Sequence, residues 1–452
     1  MKDPIHALYE TQVYPAMSHP LSDPAVSAVA AWLGGLKTPA PARARILEIG
    51  CCSGHNLITL AMRWPESECI GIDLVKISVR EATERATAAG VTNVVFQAAD
   101  LRDYKPEGAG FDFIIAHGFF SWVPDEVKAV LLAFCRENLS PSGIATISFN
   151  LECGWAARFP VIRKVRAIQQ ARGGDLVQAL EILRFVMEPD SPEIAIIDDM
   201  LAKGPAILAF DDFGPVNDPW SLDRFAQAAS NAGLRWLGET DPAENIPSIL
   251  SDEVVEHLAE TVQEPLAFQL AADAAAGRTF RSGVLCRDDA PLMKQIPSGG
   301  VLDFSVRAGK EPADEGAMEI WQAIRLFTPA CVAMREVMVK LPGWDLRELA
   351  SRVYDGITNG WILPRIESLG FDPQPSGFPR LNAFRLLCAR EGLPLVDAWH
   401  KPCLFPGKHY AVLAAMDGTR SLAELAVFSK NQCPELVFEL WLRHLAGRGM
   451  FD

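Results

Sequence analysis

Five short apolar runs, at 46–49, 69–72, 94–97, 113–116 and 144–149, recur between polar stretches in the first third of the chain. Short continuous apolar runs are what strands buried on both faces require. The stretches between them at 57–64, 77–89 and 126–138 carry helical periodicity and stop near Gly, Pro or Asn. Strands alternating with helices predict βα units and a parallel sheet. A capped helix at 219–233, followed by strands at 234–238 and 280–286, would bring the strand count to seven. The expected fold is therefore α/β, a Rossmann-like seven-stranded sheet. Two helical insertions, 156–204 and 241–277, leave the sheet after a strand and are expected to cap a cleft. Pro297 to Gly300 marks a boundary, which makes 1–300 one domain. Beyond it 321–341, 346–358 and 381–391 read as amphipathic helices, while 346–364 and 411–451 run helix, glycine turn and short apolar finish. These predict a mainly helical, winged-helix-like domain at 301–452.

Composition narrows the picture modestly. With 452 residues, 49% hydrophobic and 22% charged, the chain suits a globular protein of more than one domain. It holds no apolar run of about 18 residues and starts with a polar segment, so no membrane span is expected and the cytoplasm is the expected location. Ten cysteines without C-x-x-C spacing or a Cys/His cluster point to reduced thiols rather than disulfides or a metal site. A formal charge of -15 disfavours nucleic acid and favours basic partners such as lysine-bearing proteins.

The chemistry concentrates where strands end. In Glu48-Ile49-Gly50-Cys51-Cys52-Ser53-Gly54-His55-Asn56 a strand passes through a tight turn into a helix, and small residues let the backbone approach a ligand. Dinucleotide enzymes share such turns. Glu48, however, would repel a pyrophosphate, whereas it can meet the ammonium of S-adenosylmethionine. Asp73 ends the second strand, beside Leu74, and can accept from both ribose hydroxyls. Asp100 ends the third, and can take the adenine amino proton while Leu101 packs on the ring. Each acid alone could equally be a helix or loop cap; three at successive strand ends favour a cofactor site. The cofactor-binding set is Glu48, Gly50, Cys52, Gly54, Asn56, Asp73, Leu74, Asp100, Leu101 and His117, with S-adenosylhomocysteine as the product. Cys52 stands where a glycine is usual, and a positive φ there would store strain.

These residues, with others along nearly the whole chain, resemble bacterial protein-lysine methyltransferases of the rickettsial outer-membrane-protein type, which carry a methyltransferase regulatory region. The resemblance runs through Tyr14-Pro15, Ser18-His19-Pro20, Leu47 to Cys51, Asn56-Leu57-Ile58, Ala116-His117-Gly118 and Ser121-Trp122-Val123-Pro124. It continues in Ser148-Phe149-Asn150 with Gly154-Trp155, in Arg278-Thr279-Phe280-Arg281 and in Met416 to Arg420. It implies a class I methyltransferase, methyl transfer to protein lysine, and a flap over the cofactor formed by Tyr9, Tyr14 and His19, of which Tyr14 and His19 join the cofactor-binding set. Phe120 and Phe149 replace tyrosines of the family pattern, Leu151-Glu152-Cys153 replaces its Thr-x-Pro stretch, and Asp211-Asp212-Phe213 stands where it has a histidine-led triplet.

On the acceptor side, lysine must lose a proton before it attacks, because its amine has an ordinary pKa of about 10.4. Aromatic walls and a nearby positive charge lower that value, and aromatic faces can hold the ammonium first. Phe119, Phe120, Trp122, Phe149 and Trp155 follow the fourth and fifth strands and could form such a channel, though core packing is the commoner role of any single aromatic. The catalytic candidates are His117, Trp122, Asn150 and Trp155. His117 could orient the methionine end or accept a proton, or be a satisfied strand-end histidine; Asn150 could orient an amine or serve in a turn. Asp211 and Asp212 could attract a substrate lysine, though ordinary loop acids are the commoner reading, and Asp252, Glu253 and Glu256 read as a solvated helix face. The expected activity is N-methylation of lysine in a protein or peptide. Methylation of a small molecule and a noncatalytic S-adenosylmethionine-binding regulator are the alternatives. A homodimer is among the assemblies to be considered.

Overall fold

The computed structural model describes residues 14–452. Tyr9 therefore lies outside the described residues. Seven strands form one sheet in the order β3-β2-β1-β4-β5-β7-β6. They are β1 Arg45–Ile49, β2 Glu68–Asp73, β3 Val94–Ala98, β4 Phe111–Ala116, β5 Leu139–Asn150, β6 Leu234–Glu239 and β7 Phe280–Arg287. The first five run parallel, and β7 lies antiparallel between β5 and β6. Alternate residues of β1 serve opposite faces: Ile46 enters one hydrophobic core, and Leu47 and Ile49 the other. The reversal of strand order beside β1 places a crevice at the carboxyl ends of β1 and β4, where open α/β sheets bind ligands.

Helices α1 Pro24–Leu33, α2 His55–Arg63, α3 Lys76–Ala88 and α4 Asp125–Asn138 accompany the parallel half. Asp23 caps α1 by accepting from the Ala25 amide, and small residues (Ala25, Ala28, Ala31) let that helix sit close to its neighbours. After β5 come α5 Glu152–Arg172, α6 Leu176–Val186, α7 Glu193–Lys203 and α8 Pro205–Asp211, which close over a core of their own containing Trp155, Val161, Leu180, Ile197 and Met200. This bundle is the first insertion. Its entry is tight, because a Cβ on Gly154 would lie 2.5 Å from the Arg278 carbonyl oxygen. Helix α9 Leu222–Asn231 leads to β6, and α10 Asp252–Thr261 and α11 Pro265–Ala276 form the second insertion. No residue of α10 is buried, in keeping with its acidic, solvated face. Arg281 on β7 is fully buried and clamps Glu239 on β6 to Asp273 on α11.

The rest of the chain is mainly helical, with two small antiparallel sheets. One joins β8 Ser305–Ala308 to β9 Val332–Ala333 and β10 Ile362–Arg365, and the other pairs β11 Leu395–Val396 with β12 Pro402–Cys403. The helix expected over 321–341 is broken: α12 Glu315–Arg325 stops, the chain turns through Thr328 and Pro329 into β9, and α13 Met334–Met338 follows. Proline lacks the amide a helix interior needs, and it disfavours helical backbone just before itself. Helices α14 Leu346–Thr358 and α15 Ala383–Glu391 match their expected periodicity, and α16 Gly407–Ala414, α17 Leu422–Gln432 and α18 Phe438–Gly447 complete the chain. Residues of α15 to α18 share one hydrophobic core with β1, α2 and the start of the sheet.

Candidate active site

A cavity of about 510 Å³ opens at the carboxyl ends of β1, β2 and β4, and the α5–α8 bundle and the segment around Tyr14 to His19 close it. The turn after β1 forms its floor. Gly50, Cys52 and Gly54 all have positive φ. At Gly54 a side chain is also excluded by space, since a Cβ would lie 2.7 Å from both the Ala82 Cβ and the Phe96 ring. Cys52, at φ 48, holds a conformation costing a side-chain-bearing residue roughly 1 kcal/mol. Its amide donates to Asp73 Oδ2 at 2.9 Å, while the Val75 amide donates to Oδ1 at 2.8 Å. Asp73 thus fastens the turn and keeps lone pairs for a ligand.

Glu48 is buried, yet only one of its oxygens has a partner: Asn56 Nδ2 donates to Oε1 at 2.7 Å, and Oε2 has none. Burial raises this carboxyl to about 8, the Asn56 bond partly offsets that, and the charge of Asp73 adds to it. A cationic group in the cavity would complete this acid. The unpartnered oxygen and the Asp73 lone pairs therefore fit a ligand bearing an ammonium and a ribose, as S-adenosylmethionine does. Asn56 lines the cavity, but its side chain is consumed by protein contacts, with Oδ1 accepting from the His19 amide at 3.0 Å and lying 2.6 Å from His400 Nε2.

Asp100 and Leu101 line the cavity together with Leu74. Both Asp100 oxygens meet the Arg102 guanidinium, whose hydrogen bond holds the carboxyl below its usual range. The Arg102 amide also donates to Asp100, so the acid caps its own turn besides facing the cavity. His117 at the end of β4 stacks on His19 with ring centroids 4.1 Å apart, and meets Phe280 edge to face with centroids 5.6 Å apart. Burial keeps both imidazoles neutral, His19 at about 4 and His117 well below the usual histidine value. His117 Nδ1 is buried without a partner. The His19 contact sets the segment after Tyr14 against the end of β4.

The cavity is also lined by the rings of Tyr14, Phe119, Trp122, Trp155 and Phe210. Trp122 and Trp155 meet edge to face at 6.4 Å, and Trp155 Nε1 donates to the Thr279 carbonyl at 3.1 Å, which fixes that ring. Phe120 and Phe149 do not belong here. They are core residues, Phe149 stacking on Phe225 at 4.1 Å and Phe120 meeting Trp220 at 4.9 Å, so the tyrosine hydroxyls they lack are not missing from the cavity. Asn150 lines the cavity with its amide nitrogen donating to Asn217 Oδ1 at 2.9 Å, so its carbonyl is the group it offers a ligand.

The pair read as loop acids is built into the site instead. Asp212 is buried and locked by Arg158 at 2.7 Å and Lys203 at 2.9 Å. Asp211, the last residue of α8, lines the cavity and accepts from the Tyr14 hydroxyl at 3.4 Å. Burial raises its carboxyl to about 6, Lys203 opposes this, and Asp212 adds to it. Arg158, Asp199, Lys203 and Phe210 also line the cavity, and the sequence reading missed them. The available signal was Arg158 and Lys203 bracketing an insertion already expected to cap the cleft. Among the described residues no cluster of His, Cys, Asp or Glu could hold a metal ion, and no helix is long and apolar enough to cross a membrane.

Comparison with known proteins agrees with this geometry. Residues 46–143 match the model of a methyltransferase domain, and 204–287 that of a predicted methyltransferase regulatory domain. An uncharacterized protein of Rickettsia prowazekii (strain Madrid E) is 27% identical over 316 residues, 67% of this chain and 56% of that one. A second from the same organism is 34% identical over 147 residues, 32% of this chain and 59% of its own. The chain thus spans under two thirds of the length of these relatives. PKMT2 from Rickettsia typhi in complex with AdoHcy has the same fold, with a TM-score of 0.80 at 19% identity over 97% of this chain and 99% of that one. The sheet and the turn after β1 give the chain the class I methyltransferase fold, and it carries one region similar to a methyltransferase domain and one similar to a predicted methyltransferase regulatory domain.

Proposed function

We propose that the protein methylates the side-chain amine of lysine in a protein or peptide. The observation that carries this reading is a cavity lined both by aromatic rings and by one carboxyl, Asp211, that forms no salt bridge among the described residues, whereas Arg158 and Lys203 lock Asp212. The PKMT2 neighbour and the sequence resemblance support it. S-adenosylmethionine supplies an electrophilic methyl on a sulfonium, and the acceptor must present a lone pair in line with it.

Each residue then has a task in this reading. Asp73 and Glu48 hold the donor by its ribose and ammonium, and Asp100, Leu74 and Leu101 hold its adenine end. Neutral His117, stacked on His19, borders the methionine portion and adds no positive charge beside a sulfonium. Trp122, Trp155 and Phe210 take the lysine stem and hold its ammonium against their faces until it is deprotonated. Asp211 accepts that proton, the neutral nitrogen bonds to the methyl carbon as the carbon–sulfur bond breaks, and Asn150 orients the amine through its carbonyl. Most of the acceleration comes from holding donor and acceptor at near-attack distance. The division into 1–300 for chemistry and 301–452 for recognition or regulation belongs to the same proposal. So does a cytoplasmic setting, which the ten unpaired thiols suit.

The test is incubation with methyl-labelled cofactor and a proteome of lysine-bearing proteins, followed by acid hydrolysis. Label recovered as methylated lysine is the expected result, and label confined to small molecules sinks the proposal.

A further inference from the structure

The donor pocket is not built by the sheet alone. His400 belongs to the turn after β11, and its ring is fully buried behind the cofactor turn, 344 residues away in sequence from the Asn56 it touches. That turn is braced. Asp397 accepts from the amides of Trp399 and Lys401, each at 2.9 Å, and its carboxylate is gripped by Arg448 at 2.7 and 3.0 Å. His400 itself has φ 62, a left-handed conformation that a bulky residue adopts only when its surroundings impose it. Its carbonyl accepts from Ser18 Oγ at 3.0 Å, which ties the same turn to the segment that borders the cavity.

Three groups converge on one atom. The His19 amide, Ser22 Oγ and His400 Nε2 lie 3.0, 3.0 and 2.6 Å from Asn56 Oδ1. A backbone amide can only donate, so the oxygen of the Asn56 side chain must face this group and its nitrogen must face Glu48, where it donates at 2.7 Å. His400 must then carry its proton on Nε2, which agrees with a buried Nδ1 that has no partner. Once Asn56 holds Oε1 of Glu48, Oε2 is the oxygen left for the cavity.

We propose that His400 is a positioning residue for the cofactor: through Asn56 it sets the direction in which Glu48 presents its free oxygen to the ammonium of S-adenosylmethionine. The C-terminal region thereby has a direct hand on the donor site. Displacing the turn 397–401 releases Asn56, Asn56 releases Glu48, and cofactor affinity falls with no change in any residue that touches the acceptor. Burial, with the charge of Arg63 added, keeps His400 uncharged across the physiological range, so the relay is a fixed hydrogen-bond chain rather than a proton switch.

This inference rests on the donor-pocket assignment and is independent of the acceptor. Calorimetric titration of the full chain with S-adenosylmethionine tests it. His400→Gly removes the imidazole while accepting the left-handed backbone, and about tenfold weaker binding is expected for the loss of one buried hydrogen bond. His400→Asn, which also tolerates positive φ but is too short to reach Asn56, carries the same expectation and serves if the glycine variant does not fold. His400→Gln, with an N–H of similar reach, should restore much of the affinity. The decisive readout is a double-mutant cycle with Glu48→Gln: if His400 acts through Glu48, His400→Gly costs almost nothing further in that background. Unchanged affinity in a folded His400→Gly protein, or fully additive losses in the cycle, overturns the inference. A folded wild-type protein that does not bind the cofactor overturns the donor-pocket assignment with it.

Discussion

At the scale of single residues, Asp73 and Glu48 separate two kinds of acid in one pocket. Asp73 both fastens the turn and faces the cavity, so Asp73→Ala should abolish measurable S-adenosylmethionine binding in calorimetry; retained affinity would refute its role. Glu48 makes affinity depend on pH. Its carboxyl sits at about 8 in the free protein, and a bound ammonium favours the ionised form, so binding releases a proton below that pH. Affinity should therefore rise with pH towards about 8, above which the ligand's α-amine, with an ordinary pKa of roughly 8, loses the charge that Glu48 binds, and Glu48→Gln should flatten the rising limb. The same shift has a folding signature. Between the ordinary glutamate pKa of 4.5 and 8 the folded state binds a proton that the unfolded state has lost, so the cofactor-free protein loses stability as pH rises through that window. Thermal melts across it should show wild type losing stability relative to Glu48→Gln as pH rises, whatever the buried histidines add to both profiles. Asp211 predicts a second profile. With its carboxyl at about 6, its base form is present above that pH, and methylation of a lysine peptide should rise through pH 6 in wild type. Asp211→Asn should lose that inflection and about 10²-fold in kcat, the lower end of general-base contributions; an unchanged profile would remove Asp211 from the chemistry.

At the scale of elements, the seven strands were legible because each is a short apolar run bounded by turn residues, and the strand-end acids stood out by repeating at successive ends. Trp122, Asn150 and Trp155 could be placed near the cleft from their position after β4 and β5. Phe120 and Phe149 could not be told from them, since which way a ring turns at a strand end depends on β7 and α9 packing from far along the chain. Asp211 could be named beside a lysine but not told from a loop acid, for a similar reason: its partners Tyr14 and Lys203 lie on different elements, one of them 197 residues away. The helix expected over 321–341 failed at Pro329, a breaker visible in the sequence whose periodic neighbours outweighed it. The entry of α5 gives an element-scale prediction. Gly154→Ala would press a methyl onto backbone at Arg278, where little can yield, and should destabilise the protein by about 1–3 kcal/mol. Because Trp155 moves with that helix, activity on a lysine peptide should fall more than cofactor affinity does. Equal losses of both would argue against Trp155 lining the acceptor path.

For the whole molecule the question is whether the two ends of the chain fold as one. Asp23, which caps α1 before the sheet begins, is buried and takes Arg63 at 2.6 Å and Arg365 at 2.8 Å, the latter 342 residues away. Burial alone would raise this carboxyl, but the charges of Arg365 and Arg63 override it and hold it well below the usual carboxylate range. Nothing local in the sequence marks Asp23, Arg365 or His400 as partners, which is why the C-terminal region read as a separate module while its helices share a core with the sheet. Such a pair couples the regions more than it stabilises them, since desolvation offsets much of the attraction; removing one partner is the costly change. Arg365→Ala leaves Asp23 with Arg63 alone and should cost about 3 kcal/mol, the low end for breaking a buried pair. Urea unfolding followed by tryptophan fluorescence and by cofactor binding should give one coincident transition in wild type. The variant should shift both probes together to lower urea, because the contact belongs to both regions at once. Two separated transitions, with the cofactor site outlasting the C-terminal region, would show instead that the methyltransferase domain stands alone.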